Sequence, residues 1–356
     1  MMETLLETFG DHVLAALVGL LGGGMLGLAA RLGRFCTMGA IEDWLYGQDT
    51  RRMRMWLIAI GGAVIGSFGL IGAGLLVPED TMYLSLRWNP LGSIVGGLMF
   101  GYGMALAGNC GYGALARLGG GDLRSFVIVL VMGVFAYMTI AGPIAPLRAA
   151  LFPSPPVEGS ALPGIAHLLG RLSGVQPVIL GIGIGAVMLL AGLSRRMLAE
   201  PSRIFWSLVV AAAVILGWAG TQWIHDNGFE EVPVVSHTYS RPLGDTLLYL
   251  MTSTGSRINF GIGSVAGVVL GAFLGSLLRG HFRWEACEDP RELRRQILGA
   301  ALMGVGAVTA LGCSIGQGLS AFSLLAFSAP VTFLAIIAGA AFGLRQLIEG
   351  LRAGAV

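Results

Sequence analysis

The stretch GYGMALAGNCGYG (residues 101–113) sets one cysteine among glycines and small apolar residues, and GVGAVTALGCSIG (304–316) repeats the frame. Aligned on Cys110 and Cys313, the two share Gly101/Gly304, Gly103/Gly306, Ala107/Ala310 and Gly113/Gly316, a pattern GxGxxxAxxCxxG. Four coincidences around a rare residue indicate an internal duplication. Neither stretch suits a regular helix through its cysteine, because glycine lets the backbone turn where a helix would otherwise run on.

The surroundings of both stretches are oily. The chain of 356 residues is 55% hydrophobic and 12% charged, against roughly 25% charged in a soluble domain. Runs such as LIAIGGAVIGSFGLIGAGLL (57–76) and FGIGSVAGVVLGAFLGSLL (260–278) are long enough to cross about 30 Å of hydrocarbon and lack the polar face of a soluble helix. The reading is an all-α polytopic membrane protein with about nine transmembrane helices, near 11–30, 55–77, 91–108, 124–142, 175–193, 203–223, 258–280, 295–312 and 330–348. The 57 glycines fit close helix packing in lipid. The N-terminal MMETLLETFGDH is acidic and lacks the basic start of a cleaved signal peptide, so the first span is expected to stay.

Orientation follows from the arginines, which make up all 22 basic residues. With the N-terminus outside, Arg87, Arg148, Arg171, Arg241 and Arg257 face out and the other 17 of 22 face in, as the positive-inside rule requires. The expected location is a bacterial inner membrane, with the C-terminus cytoplasmic. Around the Pro-, Gly- and Ser-rich segment 142–174 the chain divides into a first repeat (1–142), a linker with one span (143–202) and a second repeat (203–356), all within one transport domain. A single linker span inverts the second half, the logic of a secondary transporter. Four re-entrant glycine-rich loops, followed by half-helices, would then meet near the midplane: those of Cys36, Cys110 and Cys313, and TSTGSRINF (252–260).

Non-helical backbone cannot face lipid, so such breaks must line a cavity. Residues 107–121, 251–263 and 311–328 contain no Asp or Glu, which argues against a cation path. Backbone amides around Gly111, Gly113, Gly312 and Gly316, and the polar groups of Thr37, Asn109, Asn259, Ser314 and Gln317, are the candidate anion contacts. Arg257 would draw anions in from outside. A neutral thiol is a weak donor and a soft, polarisable contact. Cys36, Cys110 and Cys313 therefore suit a sulfur-containing anion better than phosphate, which would call for arginine forks. Cys287, in the charged loop FRWEACEDPRELRR, reads as incidental. The histidines 167, 225, 237 and 281 read as solvated or interfacial. No CxxC or CxxH pattern supports a zinc site, no cofactor is implied, no catalytic triad or carboxylate pair stands out, and the basic loops read as topology signals, not nucleic-acid contacts.

At GRFCTMGAIEDW (33–44), GNCGYGALARL (108–118), HFRWE (281–285) and LMGVGAVTALGCSIGQGLSAFS (302–323) the chain resembles the YeeE/YedE family of sulfur-transport membrane proteins. The resemblance implies thiosulfate uptake, with the ion relayed between the thiols of Cys36, Cys110 and Cys313 and Cys110 the most exacting of the three. It also implies a cytoplasmic sulfur-carrier partner of the TusA type. Two alternatives stay open: a membrane sulfurtransferase or redox protein forming a cysteine persulfide, which needs an activated thiolate, and transport of a selenium-containing compound.

Overall fold

A computed structural model describes residues 9–157, 162–286 and 289–349; Cys287 lies outside the described residues. The long helices are α1 (Asp11–Arg31), α3 (Arg51–Gly72), α4 (Pro90–Ala107), α6 (Leu123–Ile140), α7 (Pro177–Gly192), α8 (Pro201–Asn227), α10 (Phe260–Leu278), α11 (Pro290–Thr309) and α12 (Ser328–Glu349). Shorter ones stand between them: α2 (Thr37–Leu45), α5 (Gly111–Gly119) and α9 (Arg241–Thr252). All nine expected spans fall on helices. Seven helices among the described residues are long and apolar enough to cross a membrane, one of them running through α4 and α5 as Pro90–Gly119. The two others fall short for different reasons. α7 has 16 residues, about 24 Å of rise. The first turns of α11 carry Arg291, Glu292, Arg294 and Arg295. The protein is an all-α polytopic membrane protein.

Packing runs through glycine. α1 lies along α10, and α8 packs on both α1 and α3. α4 is wedged between α11 and α12, and α6 also lies on α11. α7 is peripheral: it covers α3 with Gly181, Gly185 and Gly192, the first seated on the ring of Phe68. The short helices join this frame at its centre. α5 contacts α1, α6 and α10, α9 contacts α6 and α10, and α2 contacts α3 and α12. With no hydrophobic driving force between helices in lipid, such close backbone approach is what holds the bundle.

At the arginine-rich end, Arg51 bridges Asp49 and Glu200, and Arg203 also reaches Glu200. The guanidinium of Arg51 holds the carboxyls of Asp49 and Glu200 below the usual carboxylate range. Depressed carboxylate values mean that this clamp is complete above about pH 4 and is lost as the pH falls further. It fastens α3 to the start of α8, across the linker.

Candidate functional site

The three chain breaks have one geometry. Two residues before each cysteine the backbone is left-handed: Arg34 (φ 55°), Gly108 (φ 75°) and Leu311 (φ 56°). Such a conformation costs a non-glycine residue roughly 1–2 kcal/mol, so Arg34 and Leu311 hold it only because the surrounding packing demands it. The cysteine then ends the break, and its sulfur accepts the backbone N–H three residues on. Gly39 N–H donates to Cys36 Sγ at 3.4 Å, Gly113 to Cys110 Sγ at 3.4 Å and Gly316 to Cys313 Sγ at 3.5 Å. Cys36 and Cys110 are thus the N-caps of α2 and α5. After Cys313 the chain winds instead into a π-helical turn, Gly316–Ala321. All three thiols are free.

Cys110 and Cys313 are 0% and 1% exposed, and Cys36 is half-buried. Cys110 lies within electrostatic reach of both other thiols and of Ser314. The turns are tied together by aromatic side chains. Tyr112 stacks on Tyr239 with centroids 5.7 Å apart and donates to Leu26 O at 2.6 Å. The backbone N–H of Tyr239 donates to Cys313 Sγ at 3.2 Å, and its hydroxyl meets Ser264 Oγ at 3.0 Å.

A cavity approaches this layer from each side. The larger, about 690 Å³, is lined by Tyr83, Thr238, Leu311, Arg257 and Asn259 among others, and Thr238 Oγ1 sits 3.8 Å from Cys313 Sγ. The smaller, about 390 Å³, is lined by Cys36, Asn109 and Gly113 with five arginines. From one side to the other the order is Thr238, Cys313, Cys110 with Ser314, then Asn109 and Cys36. Beside the turns, Gln317 Oε1, Asn109 Oδ1 and Thr37 Oγ1 are buried without a partner.

The structure brings Cys36, Thr37, Asn109, Cys110, Gly111, Gly113, Gly312, Cys313, Ser314, Gly316 and Gln317 to one layer or its rim. It separates Arg257 and Asn259 from them. Arg257 is exposed and ion-paired to Glu230 in the larger cavity, and Asn259 caps α10 through Ile262 N–H at 3.0 Å. The segment that reaches Cys313 is not 252–260 but 236–240. His237, expected to be solvated or interfacial, is fully buried with Nδ1 2.7 Å from Ser264 Oγ. The polar run SHTYS before Arg241-Pro242 was the available signal for that segment. The five arginines of the smaller cavity also went unread. In Gly316→Ala a Cβ would overlap Thr238 Oγ1 and come within 3.0 Å of Tyr83 Oη. The expected result is a melting temperature a few degrees lower, read by thermal unfolding, since overpacking costs about 1–3 kcal/mol.

Comparison with known proteins bears on what passes through this layer. A protein 28% identical to the chain is the thiosulfate transporter TsuA of Escherichia coli (strain K12), the match covering 91% of this chain and 92% of that one. The thiosulfate transporter TsuA of Spirochaeta thermophila is also 28% identical, over 90% of this chain and 96% of its own length. Both names place the similarity among transporters. The sulphur-transport family model matches residues 32–342, a range that holds all three cysteine turns. The chain therefore belongs to the sulphur-transport family.

Proposed function

We propose that the protein takes up thiosulfate, or a closely similar sulfur oxyanion, across a bacterial inner membrane by passing it between the thiols of Cys313, Cys110 and Cys36. The observation that carries this reading is the threefold cysteine turn set between two cavities. In each turn a backbone N–H donates to the sulfur, which orients the thiol. The S–H is then free to donate to a passing ion, whose soft terminal sulfur matches a soft thiol. Thr238, Ser314, Asn109 and Thr37 supply further polar contacts along the line.

We take the two halves as inverted repeats. The support is that exchanging α1, α2, α3, α4, α5 and α6 with α8, α9, α10, α11, the π-turn and α12 carries the packing pairs into one another. α1 on α10 becomes α8 on α3, α6 on α11 becomes α12 on α4, and α5 on α10 becomes the π-turn on α3. We place the arginine-lined cavity on the cytoplasmic side by the positive-inside rule, where a sulfur carrier of the TusA type would receive the ion.

The test is uptake of radiolabelled thiosulfate into proteoliposomes, challenged with sulfate, sulfite, selenate and phosphate. None of these four, which lack a sulfane sulfur, is expected to compete from outside as well as unlabelled thiosulfate does; equal competition by phosphate would refute the reading. Intact-mass spectrometry after thiosulfate exposure should show unmodified cysteines. A stable added sulfur atom on Cys36, Cys110 or Cys313 would favour the persulfide-forming alternative.

A further inference from the structure

We infer that the smaller cavity is a second anion site, which grips the oxygens of a sulfur oxyanion with guanidinium groups, and not its sulfur with a thiol. The inference rests on the proposed relay and makes this site its exit. Arg31, Arg34, Arg52, Arg117 and Arg279 line the cavity, against the single carboxylate of Glu42. Arg52 is paired with Asp43 at 3.2 Å, and Arg279 donates to Leu32 O at 2.5 Å. Among the described residues Arg31, Arg34 and Arg117 have no carboxylate within ion-pair distance.

Two further observations point to a guest. Arg31 is half-buried against Gly120, its Nε has no partner, and it lies within electrostatic reach of Arg117, Asp122 and Glu285. Asn109, 1% exposed, lines the same cavity next to Cys110, where its side-chain NH2 is a further donor for an anion. Arg34 and Arg117 are exposed and Arg31 is half-buried, and like charges brought together at a partly desolvated guanidinium are costly. An anion would neutralise them, and the volume of about 390 Å³ is many times the ~15 Å³ that admits one water.

The chemistry of the two regions differs. Thiols read a sulfane sulfur. Guanidinium forks read tetrahedral oxygens and are indifferent to the fourth substituent. The smaller cavity therefore accepts sulfate as readily as thiosulfate, whereas the thiol line does not. Sulfate presented on the arginine side is an inhibitor of release; presented on the other side it is inert.

Equilibrium binding of radiolabelled sulfate to the full chain in lipid nanodiscs tests this. Wild type should bind it in a salt-sensitive manner. Arg31→Gln/Arg117→Gln should bind at least about tenfold more weakly. Arg31→Lys/Arg117→Lys keeps both charges but loses the forks, and should fall between the two with an unchanged melting temperature. Arg196→Gln, exposed and outside the cavity, should match wild type. Wild type that takes up thiosulfate yet binds no sulfate would overturn the site and leave the relay standing. Binding without any thiosulfate uptake would keep the site and remove the relay. Glutamine or lysine variants that bind like wild type would overturn the inference.

Discussion

Cys110→Ala is expected to cut thiosulfate uptake by at least about tenfold, and up to about a hundredfold, while the protein still folds. The argument has two parts. The side chain is fully buried in the closed layer between the cavities, so no water can replace it as a hydrogen-bond partner for the ion. A hydrogen bond to a charged group contributes about 1.5–3 kcal/mol, and if the proposed relay makes the passage of this layer rate-limiting, losing the bond there reduces the rate by ten- to a hundredfold or more. The structural role is small by comparison. Cys110 Sγ accepts one N–H, that of Gly113 at 3.4 Å, and loss of an N-cap costs about 1 kcal/mol. Cys110→Ser separates the two contributions. Serine caps the helix as well as cysteine or better, so thermal stability should match wild type. Its hydroxyl is a hard donor on a shorter bond, so uptake should stay below wild type but above the alanine variant. Uptake by Cys110→Ala at the wild-type rate, measured at equal protein per vesicle, would sink the relay.

The architecture was legible because lipid is an undemanding solvent to read: a span must be apolar along its whole length, and the nine expected segments all fall on helices. The frame around Cys110 and Cys313 was legible because it repeats in sequence. Its third instance was also present in the residues, as Gly27, Ala29, Gly33, Cys36 and Gly39. There alanine and glycine exchange places at the small positions, so the match is one of size and not of identity, and only the shared left-handed residue and sulfur cap expose it. The segment 236–240 carries a polar run, but its role was not legible. No cysteine marks it, and its place beside Cys313 depends on how α8 and α9 dock, which is a tertiary matter. The same holds for Arg31, Arg34 and Arg117. In sequence they look like charges that fix orientation; only folding turns the ends of α1 and α5 toward each other so that these charges converge.

The second large effect belongs to the α1–α10 contact. On α1 the facing residues are Gly19, Gly23 and Gly27, and on α10 they are Gly263, Gly267 and Gly271, spaced by four on both helices. A Cβ at Gly19, Gly23 or Gly27 would overlap the backbone carbonyl of Phe260, Ser264 or Val268, and the reciprocal overlaps involve Ala16, Leu20 and Gly24. These neighbours are backbone and cannot rotate away, so even one methyl group forces the helices apart. Overpacking of this kind costs about 1–3 kcal/mol per site. Gly23→Ala/Gly267→Ala should therefore lose several kcal/mol, about 2–6 by the same measure, and Gly23→Leu should yield no monodisperse protein. Gly24 is the control: a Cβ there meets nothing closer than Gly267 O at 3.9 Å, and Gly24→Ala should unfold within a degree or two of wild type. Thermal unfolding in detergent decides the matter, and equal melting temperatures for Gly23→Ala and Gly24→Ala would refute the close-packing account. Transport should be lost in a graded way along the same face. α1 runs directly into the Cys36 turn, whose position is set by where the helix ends. A displacement at Gly27 reaches that turn two helical turns sooner than one at Gly19, so Gly27→Ala should impair uptake more than Gly19→Ala at comparable loss of stability.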